Sequence, residues 1–170
     1  MSTQTQNATW IALVNPKSPA NVGHVMRAAG CFNVSGVFYS GERFHHARKF
    51  ITDTKDHHET IPLTWQDDLL TALPENAVPV AVELVEGATS LVDYVHPPRA
   101  FYVFGPEDSS LNQTLVNACR DVIYIPTTGC LNLAASVNIV LYDRLLKSGV
   151  TGNDELIRSS RDNNNRLRRD

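Results

Sequence analysis

Five short apolar segments recur along the chain and alternate with segments of helical periodicity. The predicted strands are WIALVN at 10–15, GVFYSG at 36–41, VPVAVEL at 78–84, AFYVFG at 100–105 and DVIYIP at 121–126. Continuous apolar strands that alternate with helices are typical of a parallel sheet with both faces covered. The pattern therefore predicts an α/β fold built on an open parallel sheet flanked by helices.

Helical periodicity marks the segments between these strands. The predicted helices are VGHVMRAAGCF after a capping Asn21, DDLLTAL at 67–73, SLNQTLVNAC at 110–119 and LNLAASVNIVLYDRLLK at 131–147. The polar, histidine-rich segment 42–59 is expected to hold a helix and a mobile loop. Apolar residues cover most of the circumference of the last helix, so we expect burial on more than one of its sides.

Length and composition indicate one globular domain. The 170 residues are enough to bury a core. Residues 1–9 are predicted to be a flexible N-terminus and residues 10–148 to form the domain. Residues 149–170 are predicted to form a polar, arginine-rich and flexible tail, because hydrophobic periodicity is lost there.

The charge and the cysteine usage narrow the class of protein. A net charge of −3 does not by itself indicate a nucleic-acid partner, although a local basic patch would suffice for one. Cys31, Cys119 and Cys130 are an odd number of thiols without metal-ligand spacing, so we expect a cytoplasmic protein with reduced cysteines and no metal. Cys31 and Cys119 have apolar neighbours and are predicted to lie in the core. The segment MSTQTQNAT is polar and has no apolar stretch like that of a signal peptide, and no apolar run reaches membrane-spanning length, so we expect neither a leader nor a membrane span.

Three loops at predicted carboxyl ends of strands carry unusual residues. They are NPKSPANVGHVMR at 15–27, GPEDSS at 105–110 and PTTGCLN at 126–132. Ligands of open α/β sheets bind at this edge of the sheet. No G-x-G-x-x-G follows the first strand and no P-loop motif occurs, which argues against a dinucleotide-binding or P-loop enzyme.

The residues of these loops leave alternatives open. Arg27 lies on an otherwise apolar helix, so its guanidinium either pairs with a carboxylate such as Glu107 or points into a ligand pocket. Glu107 could equally stabilise a following helix through its dipole, and Asn132 could simply begin the last helix. Cys130 precedes a helix, which could lower the pKa of its thiol, but a nucleophile also needs a nearby base.

Together the three loops resemble the SpoU/TrmH-type RNA ribose 2′-O-methyltransferases of the SPOUT superfamily. The resemblance covers about residues 10–147. Its motifs are NVGHVMRAAG, FYVFGPEDSSL and YIPTTGCLNLAASVNIVLYDRL, and their order and spacing match the family. The resemblance implies a SPOUT-type fold with a C-terminal trefoil knot, a homodimer, and S-adenosylmethionine as the cofactor.

The resemblance also implies the roles of individual residues. The implied catalytic residues are Arg27, Asn21, Glu107 and Asn132. The implied cofactor-binding residues are Glu83, Leu84, Gly105, Ile125, Cys130, Leu131 and Leu133. The third motif of the family usually has serine where Cys130 stands, and a thiol is the weaker hydrogen-bond partner; Cys130 is therefore expected to be a cofactor-loop residue and not a nucleophile.

The expected substrate is RNA, with transfer RNA favoured and ribosomal RNA as the other choice. Phosphate contacts are expected from the arginine-rich tail and from four basic residues near the first two strand ends, Lys17, Arg43, Arg48 and Lys49. The alternative function is a SPOUT-fold RNA-binding protein of weakened catalysis, which the cysteine at position 130 motivates. A cysteine hydrolase is a third class, and it would need a histidine beside Cys130.

Overall fold

The computed structural model describes residues 7–47 and 61–169. This part of the chain contains a seven-stranded sheet in the order β3-β2-β1-β6-β4-β7-β5, and every strand pairing is parallel. The strands are β1 (Ala8–Leu13), β2 (Gly36–Tyr39), β3 (Leu63–Trp65), β4 (Val78–Val82), β5 (Thr89–Ser90), β6 (Arg99–Phe104) and β7 (Asp121–Tyr124). The predicted open parallel sheet is confirmed.

Five α-helices and one 3₁₀ helix flank the sheet in the described residues. They are α1 (Pro19–Cys31), α2 (Arg43–Ala47), the 3₁₀ helix (Leu69–Ala72), α3 (Gln113–Ala118), α4 (Leu133–Lys147) and α5 (Asp154–Ser160). None of these helices is both long and apolar enough to cross a membrane.

The sheet is covered on both faces, as the continuous apolar strands require. Helices α1 and α4 pack against each other and against one face, where Val25 and Val137 are fully buried. On the other face a second cluster includes Phe101, Val116 of α3 and Leu69 of the 3₁₀ helix. The central strands are therefore inaccessible, and ligands can reach the sheet only at its edges.

Several predicted boundaries were wrong. Strand β1 begins at Ala8, so the end of the segment predicted to be flexible belongs to the sheet. Asn21 does not cap α1: Ser18 is the N-cap, and its side chain accepts the Asn21 N–H at 3.3 Å. Pro19 follows as the first helical residue, a position where its missing N–H costs nothing. Cys31, predicted to lie in the core, is exposed at the end of α1, whereas Cys119 is buried.

The C-terminal segment contains a helix that the sequence did not predict. Helix α5 is capped by Asn153, whose side chain accepts the Leu156 N–H at 2.9 Å. None of its residues is buried. A helix without a buried face lacks the apolar periodicity by which a core-facing helix is recognised in a sequence.

The phosphate contacts predicted for Arg48 and Lys49 stay predictions. Both residues follow Ala47 in the segment 42–59 and lie outside the described residues.

Helix α4 buries only one of its sides within the chain. Val137, Val140 and Leu141 are among its buried residues, but a second apolar stripe is exposed. The exposed members are Ile139, Tyr142, Leu145 and Leu146. The sequence predicted that α4 is buried on more than one side. A single copy of the chain, as described, does not bury the second side.

A buried polar cluster fixes the end of α4 to the segment that precedes β6. His96 Nε2 lies 2.8 Å from Asp143 Oδ2, and its Nδ1 faces the Tyr102 hydroxyl. Burial lowers the pKa of His96, so the ring is neutral near pH 7. A carboxylate only accepts hydrogen bonds, so Nε2 carries the proton and donates to Asp143, and Nδ1 accepts from Tyr102.

Candidate active site

Three residues, one from each motif, form one chain of hydrogen bonds at the carboxyl edge of the sheet. Asn21 Nδ2 donates to Glu107 Oε1 at 3.0 Å, and Asn132 Nδ2 donates to Asn21 Oδ1 at 3.0 Å. Because Glu107 can only accept, Asn21 must direct its amide nitrogen there and its oxygen towards Asn132. The orientation of each amide is thereby fixed by the next group, and we call this chain the relay.

Each end of the relay is tied to backbone. The Glu107 carboxylate also accepts the N–H of Lys17 at 2.7 Å and the N–H of Ser18 at 3.0 Å, just before α1. Asn132 is the N-cap of α4, and its oxygen accepts the Ala134 N–H at 2.9 Å. The relay therefore holds the start of α1, the loop after β6 and the start of α4 in one arrangement.

The surroundings of Glu107 keep it ionised. Partial burial raises the pKa of this carboxyl, but the hydrogen bonds donated by Asn21, Lys17 and Ser18 outweigh that effect and hold its pKa below the usual value. The ion pair between Arg27 and Glu107, one of the two alternatives for this arginine, is not formed among the described residues. Arg27 is exposed on α1 and makes no ion pair or hydrogen bond in the structure as described.

A cleft of about 440 Å³ lies beside the relay, between the ends of β4, β6 and β7. All seven predicted cofactor-binding residues line it: Glu83, Leu84, Gly105, Ile125, Cys130, Leu131 and Leu133. Glu107 lines it as well, whereas Asn21, Arg27 and Asn132 do not. The size is within the range of ordinary small-molecule sites.

Glu83 builds one wall of this cleft through backbone contacts. Its Oε1 accepts the Leu84 N–H and its Oε2 accepts the Leu111 N–H, both at 2.9 Å. A Cβ at Gly105 would lie 3.2 Å from Glu83 Oε2. A side chain at position 105 would therefore push this carboxylate away, and glycine keeps the wall close to the strand end.

The charge of the cleft is negative. Three carboxylates line it, from Glu83, Glu107 and Asp108, and no lysine, arginine or histidine is among its described lining residues. The other lining residues include apolar side chains such as Leu84 and Ile125 and hydroxyl groups such as those of Ser110 and Thr127. Such a lining suits a ligand that combines a positive charge with a flat apolar group.

Cys130 lies on the cleft in an exposed loop. No hydrogen bond joins its thiol to a histidine among the described residues, so no general base accompanies it. By contrast, burial raises the pKa of Cys119 to about 11, and its thiol is inert near neutral pH.

One residue at the mouth of the cleft was missed by the sequence reasoning. Asp108 accepts two hydrogen bonds from Arg43 Nη1, at 2.8 and 2.9 Å, and lies 3.4 Å from Lys17 Nζ. The hydrogen bond from Arg43 and the charge of Lys17 hold the pKa of Asp108 below its usual range. Asp108 stands within the predicted GPEDSS loop, so its position beside Glu107 was the available signal.

Comparison with solved structures shows the same fold in several RNA-modifying proteins. A protein from a study of the 2-OH methylation of C/U34 on tRNA superposes with a TM-score of 0.69 at 22% identity, over 84% of this chain and 97% of the other. The A. aeolicus TrmH/SpoU tRNA modifying enzyme gives a TM-score of 0.68 at 18% identity, over 91% and 86%.

A third solved structure contains a cofactor. The SpoU methyltransferase AviRb from Streptomyces viridochromogenes, in complex with AdoMet, superposes with a TM-score of 0.68 at 17% identity, over 84% of this chain and 58% of AviRb. No curated protein sequence matches the chain. The profile of the SpoU rRNA Methylase family matches residues 8–142, which is most of the chain. The match confirms the resemblance that the three motifs indicated: this protein belongs to the SpoU rRNA Methylase family.

Proposed function

We propose that the protein is an S-adenosylmethionine-dependent RNA methyltransferase that acts on a ribose 2′-hydroxyl of transfer RNA or ribosomal RNA. The observation that carries the proposal is the acidic cleft at the carboxyl edge of the sheet. S-adenosylmethionine has a positive sulfonium centre, which a carboxylate-lined site favours. A cofactor with phosphate groups would meet no described cation in the lining.

The cofactor would be held by the seven predicted residues that line the cleft. Leu84, Ile125 and Leu133 offer apolar surface for the adenine ring, and Gly105 lets the backbone approach closely. When bound, S-adenosylmethionine supplies a methyl group that is already activated. The chain then has to orient the ribose oxygen towards that methyl group and ease the loss of its proton.

We assign to Arg27 the contact with the ribose 2′-hydroxyl of the substrate. Arginine stays protonated under ordinary conditions, so its guanidinium would stabilise negative charge that develops on the 2′-oxygen. In the described structure no carboxylate competes for this guanidinium, and it is exposed to an incoming substrate. The relay residues Asn21, Glu107 and Asn132 would fix the walls around the reacting groups.

A homodimer would complete the site, because Arg27 does not line the cleft of its own chain. Helices α1 and α4 pack side by side, so their exposed faces are neighbours. The uncovered stripe of α4 includes Tyr142 at 60% exposure and Leu146 at 62%. We propose that a second copy covers this stripe and that Arg27 of one protomer serves the cleft of the other.

The C-terminal trefoil knot is also part of the proposal. Its support is that β4 and β5 are consecutive along the chain, yet β7 lies between them in the sheet. Val82 and Thr89 are both in register with Ile123 of β7. Residues 83–88 therefore connect β4 to β5 around the carboxyl end of β7. The chain leaves β7 at that same end and continues to α4. A C-terminal segment that threads through a loop requires a crossing of this kind.

Transfer RNA is the favoured substrate, since the first of the compared structures concerns tRNA methylation and the chain spans 97% of that protein. We place the protein in the cytoplasm, in keeping with its three free cysteines. The arginines after α5 are expected to add phosphate contacts. Cys130 in place of serine favours one alternative, an RNA-binding protein of the same fold with weakened turnover.

Two measurements test the proposal. Calorimetry should detect binding of S-adenosylmethionine or S-adenosylhomocysteine, and the absence of both, with the dimer and RNA present, would refute it. Nucleoside mass spectrometry of tRNA and rRNA from a deletion strain should find one 2′-O-methyl nucleoside missing. Cofactor binding without any missing nucleoside would favour the weakened RNA-binding protein.

A further inference from the structure

The carboxyl edge of the sheet continues past the cleft onto β1, β2 and β3. Strand β3 ends at Trp65, which is in register with Tyr39 at the end of β2. The indole is 40% exposed, and its Nε1 donates to the Gly41 carbonyl at 3.3 Å, so the ring is held and not free to turn. Among the large hydrophobic side chains exposed in the described chain, only Trp65 and Tyr142 are aromatic, and Tyr142 belongs to the α4 stripe.

A continuous series of contacts joins Trp65 to the mouth of the cleft. The His45 ring lies 6.3 Å from the Trp65 ring, centroid to centroid, on α2. Two residues earlier on α2, Arg43 donates to Asp108, a residue of the cleft lining. The Arg43 Nε also donates to the Asn15 carbonyl at 3.1 Å, which fixes the start of α2 beside the end of β1.

Two cations, Lys17 and Arg43, lie on this rim and share the carboxylate of Asp108. The neighbouring Glu107 carboxylate is occupied by Asn21 and two backbone N–H groups and forms no ion pair with either cation in the described structure. The Lys17 side chain is 63% exposed, and a phosphate could reach it without displacing buried groups. Phosphate contacts of this kind position a nucleic acid without reading its sequence.

An exposed ring and cations on one edge of the sheet form an arrangement that can bind unpaired nucleotides. Cations hold the phosphates, and aromatic side chains stack on bases that are free of a helix. A protein partner would be expected to cover further apolar side chains, as on the α4 stripe, but Gln66, Asp67 and Asp68 follow Trp65. These polar residues argue against a large apolar protein contact. The two carboxylates repel phosphate, so the ring would meet a base, and phosphates would lie towards Lys17 and Arg43.

We propose that Trp65, with His45 beside it, is a stacking platform for an unpaired base of the RNA substrate. Lys17 and Arg43 would hold phosphate between that base and the nucleotide that enters the cleft. The inference rests on the proposed function, because it takes RNA to be the substrate. It adds a determinant of which RNAs are accepted: the target nucleotide must have an unpaired neighbour.

Intrinsic fluorescence can test the platform directly, because Trp10 and Trp65 are the two tryptophans of the chain. Trp10 lies on β1, with the Arg99 guanidinium 4.8 Å from its ring centre. Trp10→Phe leaves Trp65 as the single indole, and Trp65→Phe is the matched control. The probes are unfractionated tRNA, total rRNA and, separately, S-adenosylhomocysteine.

We expect RNA to quench the emission of the Trp10→Phe protein and to leave that of the Trp65→Phe protein nearly unchanged. Trp65→Leu, which keeps apolar bulk but cannot stack, should weaken RNA affinity by about tenfold. Trp65→Phe, which can still stack, should retain most of the RNA affinity of the parental protein. Calorimetric affinity for S-adenosylhomocysteine should be the same in all three variants.

The outcomes separate this inference from the proposed function. If S-adenosylhomocysteine and RNA bind but Trp65 emission and Trp65→Leu affinity do not change, the platform is refuted and the methyltransferase proposal stands. Emission that changes with protein concentration in the absence of RNA would assign Trp65 to a protein contact and also refute the platform. If neither S-adenosylhomocysteine nor RNA binds, both proposals fail.

Discussion

The Asn132 side-chain amide donates to Asn21 Oδ1 at 3.0 Å, and this bond joins residues that are 111 positions apart. It connects the first turn of α1 to the residue that caps α4. Both amides are oriented by other partners, Glu107 on one side and the Ala134 N–H on the other. The bond therefore makes the start of α4 dependent on the carboxylate that lines the cleft.

Removal of Asn21 and of Asn132 should have non-additive effects. A double-mutant cycle with Asn21→Ala and Asn132→Ala should show a coupling of about 0.5–1.5 kcal/mol in the free energy of unfolding, because the second substitution removes a bond already lost. The affinity for S-adenosylhomocysteine should fall in both single variants. Chemical denaturation and calorimetry measure the two quantities.

The control for this cycle is Asn112→Ala. Asn112 also caps a helix, accepting the Leu115 N–H at 2.8 Å, but it is outside the relay. Loss of that cap should cost about 1 kcal/mol of stability and show no coupling to Asn21→Ala. Equal coupling of Asn21→Ala to both caps would contradict a specific relay.

Cys130→Ser should leave the methylation rate within about tenfold of the parental rate, equivalent to about 1.4 kcal/mol of barrier. The thiol has no described base beside it, so only its role in the cofactor loop would change. The rate is measured with saturating cofactor and RNA. Abolished turnover, with fold and cofactor affinity intact, would instead show that the sulfur is chemically necessary.

The buried His96 should make the protein less stable in mild acid. Burial lowers the pKa of folded His96 below its ordinary value of 6.5. As the pH falls below about 6.5, the unfolded chain takes up this proton first. The free energy of unfolding therefore decreases with falling pH, by at most about 1.4 kcal/mol per pH unit from this group.

The variant His96→Gln isolates that contribution. Glutamine can still donate to Asp143 and accept from Tyr102, but it does not titrate. Denaturation curves from pH 5 to pH 7.5, a window of about two units around the ordinary pKa, should show a shallower dependence in the variant. Parallel pH profiles of the two proteins would mean that His96 is not held neutral in the folded state.

Charge on the exposed stripe of α4 should separate the proposed dimer. Tyr142→Asp and Leu146→Asp place a carboxylate where a second copy would bury apolar surface, which is costly. Sedimentation should give about twice the chain mass for the parent and the single-chain mass for these variants. The control is Leu156→Asp on α5, where the side chain is also exposed but no dimer contact is proposed.

Mixing two inactive variants tests whether Arg27 acts across the dimer. Arg27→Ala keeps its cleft, and Gly105→Val should impair its cleft because the added side chain crowds Glu83 and forces that carboxylate to shift. Mixed dimers would combine an intact cleft with an intact Arg27 from the partner, and activity should return. A mixture as inactive as its components, although mixed dimers form, would place Arg27 and its cleft in the same chain.

The sequence predicted which loops share one edge of the sheet better than it predicted local boundaries. Each motif follows an apolar strand, so parallel pairing had to bring Gly105 and Ile125 to one edge. Strands β3 and β5 have three and two residues, too few to show a period of two. Asn21 matched the pattern of a cap, but Ser18 before a proline was the better candidate.

Side-chain partners were beyond sequence reasoning. Arg27 and Glu107 have opposite charges and belong to adjacent motifs, yet Glu107 is satisfied by two backbone N–H groups and Asn21. Two of those donors are backbone N–H groups, whose positions depend on the folded loop before α1 and not on the identity of its side chains. The exposed Trp65 was not singled out either, because exposure at a strand end depends on which strand lies at the sheet edge.

The measurement that tests the account most directly is the single-turnover methylation rate of Arg27→Ala, with tRNA or rRNA that lacks the modification. If Arg27 stabilises the developing 2′-alkoxide, the rate should fall by about two to three orders of magnitude while cofactor affinity and dimer mass stay unchanged. Arg27→Lys should recover little, because lysine lacks the planar fork of donors. A folded, dimeric Arg27→Ala protein that methylates RNA at the parental rate would contradict the account.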